Sequence, residues 1–344
     1  MTVKIYKGNC LDTLREFSDN TFQSCVTSPP YFGLRDYGEE GQIGLEDNPQ
    51  DYIDSIVSVF REVRRVLRND GTLWLNIGDS YAAGKIGRDD TGSAGLFQGP
   101  NMKFKQRKPP LGYKPKDLLM IPAQVAMALR QDGWYLRSEI IWHKLNVMPE
   151  PVKDRPTNAV EKIYLLTKSE KYYYDQDAVR EPNTSKNGKN PLGKNLRNVW
   201  SVTNHDQTKA YGEHLATFPQ SILEPCLSAG GGLGGSCSVC GTPLVGKFEE
   251  KNVSHSDDIF EWNGVELIEE WVRNCEHNEA DIVKSKILDP FFGSGSTAIT
   301  ASILNLDTVG CEISEEYINV SVKRLHDNDI HDVSIFDLKN ELTW

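Results

Sequence analysis

No stretch of the sequence approaches the roughly 20 apolar residues that a helix needs to cross a bilayer, so no membrane partner is expected. The opening residues, MTVKIYKGNC, lack the apolar core of a secretion signal, which points to a cytoplasmic protein. In that compartment its seven cysteines are expected as free thiols or metal ligands rather than disulfides. The chain also lacks G-x-G-x-x-G and G-K-[ST], the glycine signatures that cradle phosphate groups, and it has no internal repeat. Basic charge is short as well: 38 Lys and Arg face 49 Asp and Glu, a net charge of −11. Taken whole, that balance speaks against a nucleic-acid partner, but charges segregate along chains. KFKQRKPPLGYKPK (103–116) and SKNGKNPLGKNLR (185–197) are basic, while acidic residues dominate 249–282. Each basic segment reads either as a DNA-facing loop or as a solvated lysine-rich one.

A chain of 344 residues can bury one large α/β core, or such a core with a smaller module attached. Residues 2–7 and 22–27 read as short strands, with an amphipathic helical turn at 11–17 between them. In 51–68, Ile53, Ile56, Val57, Phe60, Val63 and Leu67 fall at helical spacing; NDG then breaks the chain, and TLWLNIGD follows as a strand. Residues 80–116 read as a long loop, followed by a helix at 117–131 and strands at 134–142 and 160–167. Residues 181–213 lack periodicity, and a helix is expected from about Phe218. SKILDP, GSTAITASILN, DTVGCEI and SEEYINVSVKRL close the chain as strand, helix, strand and helix. This alternation predicts a doubly wound, mostly parallel α/β sheet.

Two turns carry chemistry. TSPPYFG (27–33) ends an apolar strand in consecutive prolines, which lack N–H donors and fix φ. ILDPFFGSGSTAI (287–299) reads as a strand, a tight glycine turn and a helix start. Gly293 and Gly295 let the backbone approach a ligand, and the helix N-terminus offers free N–H groups. The next strand ends in Glu312, 23 residues after Asp289, the spacing at which an acidic side chain grips a ribose in dinucleotide folds. Without a phosphate signature, a carboxylate-bearing adenosine ligand fits better, and S-adenosylmethionine is one. Asp289 would then face the ligand's amino group.

TSPPY, LDPFFGSGST, GNCLDTL (8–14), LNIGDSYA (75–82), the segment 140–175 and EHLATFPQSIL (213–223) together resemble the β-class of DNA amino-methyltransferases. The likeness spans nearly the whole chain in that family's order. It implies the S-adenosylmethionine-dependent methyltransferase sheet in circularly permuted form, with the catalytic motif preceding the cofactor motif. It also implies double-stranded DNA as partner and methyl transfer to the exocyclic amine of a base rotated out of the duplex. Ser28, Pro29, Pro30 and Tyr31 are then the catalytic turn. An exocyclic amine is a poor nucleophile because its lone pair is delocalised into the ring. Ser28 Oγ and the Pro29 carbonyl could take its hydrogens, the prolines fixing these acceptors and Tyr31 offering a stacking face. Asn9, Cys10, Thr27, Phe218, Asp289, Pro290, Phe291, Gly293, Ser294, Gly295, Thr297 and Glu312 are the expected cofactor contacts. Asn9 stands where the family usually carries an acidic residue for the adenine amine, and Phe218 reads equally as a core aromatic. Serine at the first catalytic position goes in the family more often with cytosine N4 than with adenine N6. Cytosine N4 is therefore the leading target and adenine N6 the alternative. A silent nucleic-acid-binding module and an RNA or protein methylase are the rivals. The recognition sequence, a cognate restriction endonuclease and the oligomeric state stay open.

CSVCGTPL (237–244) is a C-x-x-C knuckle, and CEH (275–277) supplies two more ligand types. Cys237, Cys240, Cys275 and His277 would make a closed, structural Cys₃His zinc site. Cys226 is an alternative ligand of poorer spacing, and four metal-free side chains are the other reading. Cys10, Cys25 and Cys311 read as core thiols at strand ends. Residues 226–285 are accordingly expected as a zinc-ribbon-like insertion in a catalytic domain formed by 1–225 and 286–344.

Overall fold

The computed structural model describes residues 1–82, 109–110, 112–147, 149–183, 192–203, 219–248 and 268–337. Strands β1 (Val3–Lys7) and β2 (Phe22–Thr27) flank α1 (Cys10–Glu16), capped where Asn9 Oδ1 accepts from the Leu11 N–H at 2.9 Å. Helix α2 (Pro49–Val66) starts at Asn48, whose side chain accepts from the Asp51 N–H, with Pro49 in the first turn where no N–H is needed. Its apolar stripe of Ile53, Ile56, Val57, Phe60 and Val63 is buried.

Strand β3 (Leu67–Ile77) runs straight through the NDG expected to break the chain. Leu67 already pairs with Phe22, and the register shifts between Phe22 and Ser24, so the irregular residues are absorbed as a bulge. Gly71 is needed there, since a Cβ would stand 3.0 Å from the carbonyl oxygens of both Gln23 and Arg68. Helix α3 (Ile121–Gln131) begins after Met120, which is left-handed at φ 56°, and Asp79 Oδ1 caps it by accepting from the Ile121 N–H at 3.0 Å. Strands β4 (Tyr135–Lys144), β5 (Val160–Thr167) and β6 (Val199–Val202) follow, the last inside a stretch read as loop.

Helix α4 (Gln220–Gly230) buries Ile222, Leu223, Cys226 and Leu227 in the main core. Residue 226, the expected start of the insertion, is therefore interior to this helix. The short strands β7 (Ser236–Cys237), β8 (Val245–Phe248), β9 (Ile268–Val272) and β10 (Ile282–Val283) form two ribbons, β7 with β10 and β8 with β9. Then come β11 (Lys286–Asp289), α5 (Ser296–Ile303), β12 (Asp307–Glu312), α6 (Glu315–Asp327) and an unanticipated β13 (Val333–Asp337).

The main sheet runs β13-β1-β12-β11-β2-β3-β5-β4-β6. Its neighbours are parallel except where β5 pairs with β3 and β4. Helices α1, α2 and α3 pack on one face, α4, α5 and α6 on the other, which makes the fold doubly wound. Alternation along β3 shows why: Leu73 and Leu75 enter the first core and Trp74 the second. From β11 the chain steps outward to β12, and from β2 outward to β3, so β11 and β2 straddle the switch point. Ligand crevices in open α/β sheets lie there, beyond the carboxyl ends of the strands. Among the described residues no helix is long and apolar enough to cross a membrane.

Candidate active site

The carboxyl ends of β2 and β11 are tied together. Thr27 Oγ donates to Asp289 Oδ1 at 2.6 Å, and the Phe291 N–H donates to the same oxygen at 3.1 Å. Thr297 hydrogen-bonds the carboxylate as well. Asp289 is only 4% exposed, and burial pushes its carboxyl above the ordinary aspartate value. A carboxylate offers about four lone-pair sites, so three internal donors leave room for one more. Glu312 closes the other side of the glycine turn, its two oxygens accepting from the N–H groups of Gly293 (2.7 Å) and Ser314 (2.9 Å). Burial, with Asp289 nearby, pushes its carboxyl up to about 7.

Gly293 and Gly295 are left-handed, at φ 51° and 79°, as the turn requires. A Cβ on Gly293 would meet only the Phe291 oxygen, at 3.8 Å, so open space lies over the turn. Gly295 is the N-cap of α5 and puts no side chain on the first N–H groups. Pro290 is buried and Phe291 half-buried beside it. Ser294 faces inward: its carbonyl and hydroxyl both accept from buried Arg324, at 2.5 and 2.7 Å. Asn9 is similarly engaged, capping α1 through Oδ1 and reaching the Gly41 carbonyl through Nδ2 at 3.5 Å. Cys10 is buried at the start of α1, and burial pushes its thiol up to about 12, which makes it a packing thiol. Phe218 lies outside the described residues.

The SPPY turn leads into a polar network that the sequence did not disclose. Tyr31 donates its hydroxyl proton to Glu161 Oε2 at 2.7 Å. Asn76 Nδ2 donates to the Tyr31 oxygen at 2.8 Å and to Glu161 Oε2 at 3.0 Å, and lies 3.4 Å from Ser28 Oγ. Ser28 Oγ is also 3.4 Å from the Tyr31 hydroxyl, a long contact. Lys144 Nζ pairs with the other Glu161 oxygen and sits 4.6 Å from the centre of the Trp142 ring. Tyr52 donates to the Pro30 carbonyl at 2.9 Å, which anchors the turn on α2. Gly78 closes one side of the Tyr31 ring, where a Cβ would approach the ring to 2.4 Å. Burial and the Glu161 charge hold the Tyr31 phenol well above its ordinary value, so it stays protonated.

The four expected metal ligands are brought together. One ligand atom from each of Cys237, Cys240, Cys275 and His277 lies within 4.8 Å of the others. The Gly241 N–H donates to the Cys237 carbonyl at 2.7 Å, the tight turn that a knuckle needs. Hydrogen bonding to Thr242 pulls the Cys240 thiol down to about 7. Arg68 holds this knuckle on the catalytic sheet, donating to the Cys240 carbonyl at 3.3 Å and to Asp70 at 3.1 Å. Cys226 is excluded as a ligand: it is 1% exposed and its thiol donates to the Ile222 carbonyl within α4. Cys25 and Cys311 are buried thiols, as expected.

Of the basic side chains expected on DNA, Lys103, Lys105, Arg107, Lys108, Lys186 and Lys189 lie outside the described residues. Two are described. Arg197 and Lys194 both close on buried Glu181, at 2.7 and 3.8 Å.

Residues 22–231 and 252–323 match the N6/N4 DNA methylase family, leaving out a stretch that holds Cys237 and Cys240. The chain belongs to that family. Type II methyltransferase M.SmaI of Serratia marcescens is 39% identical over 94% of this chain and 90% of its own length. Type II methyltransferase M.Cfr9I of Citrobacter freundii is 37% identical over 96% and 90%. Among solved structures, the cytosine-N4-specific PvuII DNA methyltransferase superposes with a TM-score of 0.59 at 17% identity, covering 98% of this chain and 95% of that one. A putative DNA modification methylase from Thermus thermophilus, complexed with S-adenosylmethionine, gives 0.56 at 18% identity and covers 98% and 99%. These two likenesses establish the fold. Family membership makes the chain an S-adenosylmethionine-dependent DNA methyltransferase.

The site suits that cofactor: the open space over Gly293 and the buried carboxylates of Asp289 and Glu312 face one crevice end of the sheet. Glu312 then gives a pH test. Its folded carboxyl is pushed up to about 7, and ribose hydroxyls donating to it, as the sequence leads one to expect, would favour the charged form. Cofactor affinity should therefore rise several-fold as pH climbs from about 6 to about 7.5. Calorimetry should show that rise in the native protein and a flatter profile in Glu312→Gln.

Proposed function

We propose that the protein methylates an exocyclic amine on a base rotated out of double-stranded DNA, cytosine N4 first and adenine N6 second. The observation that supports this most is the hydrogen bond from Thr27 to Asp289, which joins the serine turn to the glycine turn. Bound at the glycine turn, S-adenosylmethionine supplies an electrophilic methyl carbon on a sulfonium. Asp289 would hold the methionine ammonium, Glu312 the ribose hydroxyls and the free N–H groups at the start of α5 the carboxylate. Ser28 Oγ and the Pro29 carbonyl accept hydrogen bonds from the amine, drawing the nitrogen toward tetrahedral geometry as its lone pair leaves the ring. The nitrogen would gain the methyl carbon as the carbon–sulfur bond breaks, the thioether would leave with the electron pair, and the surplus amine proton would pass to solvent. Tyr31 flanks the base. Ser28, a neutral acceptor, is what favours cytosine N4 within this family. The segments 80–116 and 181–213 carry DNA contacts, and a type II restriction endonuclease reading the same site is the natural partner in the cytoplasm. Assaying tritiated methyl transfer to duplex DNA, RNA and protein side by side tests this reading. Label in DNA alone supports it, whereas label in RNA or protein, or none, contradicts it.

The segment between α4 and β11 carries a structural zinc. Tetrahedral zinc with bonds of about 2.3 Å to sulfur places its ligands about 3.8 Å apart, which the four atoms reach by a small contraction. A closed Cys₃His set leaves no position for substrate. Zinc there steadies the knuckle that Arg68 seats on the start of β3. Elemental analysis should find about one zinc per chain, and a chelator should expose three further thiols to a chromogenic reagent. A folded, metal-free protein with those thiols already reactive would refute the site.

A further inference from the structure

The direction of the hydrogen bonds around Ser28 follows from proton counting. The Glu161 carboxylate can only accept, and its other oxygen is already taken by the Lys144 ammonium. Tyr31 has one hydroxyl proton and gives it to Glu161 at 2.7 Å, so toward Ser28 its oxygen can only accept. The Asn76 amide obeys the same constraint. Its Nδ2 faces Glu161 and Tyr31, while its buried Oδ1 finds no partner among the described residues. Turning the amide over would set its oxygen against the carboxylate, so Glu161 fixes its orientation too.

We infer that Glu161, held by Lys144, sets the polarity of the Tyr31–Ser28 chain so that Ser28 meets the target base as an acceptor. The Ser28 proton points inward to Tyr31, and a lone pair points outward. Such a serine welcomes an amine and opposes an oxo group at the same place, because two acceptors would then face each other. Glu161 is thus a positioning residue that selects amino-bearing bases. The inference rests on the base-amine reading above. The sequence carried one signal for it: Glu161 ends a strand face otherwise occupied by Leu165 and Ile163.

Glu161→Gln keeps the size but adds an amide donor, so the chain can reverse and leave Ser28 donating outward. The test uses duplexes carrying the methylated sequence and matching duplexes whose target base has an oxo group instead, uracil for cytosine or hypoxanthine for adenine. Binding is measured with the cofactor product present, in native protein and in Glu161→Gln. The native protein should favour the amine-bearing duplex, and the variant should shrink that preference about tenfold, which corresponds to one reversed hydrogen bond of about 1.4 kcal/mol. Its turnover should fall with cofactor affinity and melting temperature unchanged, and Glu161→Asp, which keeps the acceptor-only character, should restore the preference. The ratio between the two proteins cancels the different ease of base extrusion. An unchanged preference in Glu161→Gln would overturn the inference. Absence of any amine preference in the native protein would instead overturn the base-amine reading beneath it.

Discussion

Replacing Asp289 with alanine should leave the protein without measurable S-adenosylmethionine binding and cost about 2–4 kcal/mol of stability. Both effects come from one buried carboxylate. In the folded chain it accepts from Thr27, Phe291 and Thr297, and alanine would strand those donors where water does not reach. The same change removes the negative charge proposed to face the methionine ammonium, in a site shielded from solvent. Asp289→Asn separates the two effects, because its amide oxygen keeps part of the hydrogen bonding and none of the charge. It should stay folded and still fail to bind. Calorimetry together with urea denaturation reads both, and near-native affinity in a folded Asp289→Asn protein would remove Asp289 from the cofactor site.

Ser28→Ala should act on a different quantity. Removing one placed partner from a charge that develops in the transition state typically lowers turnover by about 10²–10³-fold. Cofactor affinity should stay within about twofold, since no cofactor contact is assigned to Ser28, and Thr27 and Asp289 remain bonded to each other. Single-turnover kinetics with saturating DNA separates this from weaker DNA binding. A loss confined to cofactor affinity, with normal turnover per bound cofactor, would reassign the serine.

The contrast between these residues reflects what a sequence can carry. SPPY and DPFFGSGST were legible because proline and glycine act on the local backbone, and β2 and β11 each lie beside a turn whose residues sit together in the chain. The alternation of strands and helices likewise gave a doubly wound sheet, since buried stripes such as Ile53, Ile56 and Phe60 have their own period. Asn76, Lys144 and Glu161 were not legible as a group. They come from three strands, and only the antiparallel insertion of β5 between β3 and β4 places them together. β13 was missed for a related reason: VSIFD is only partly buried, and its strand form comes from pairing with β1. The break read at NDG failed because a bulge lets Leu67 pair early. Cys237, Cys240, Cys275 and His277 were legible across 40 positions because soft ligands in a C-x-x-C knuckle carry a recognisable local spacing.

The most direct test of the whole account is the chemical identity of the product. Duplex DNA methylated by the purified protein should be digested to nucleosides and resolved against standards by mass spectrometry. The account expects N4-methylcytosine, with N6-methyladenine as the one alternative that keeps the amine mechanism. 5-Methylcytosine, whose methyl group sits on ring carbon, or DNA without methylated nucleosides, would contradict it.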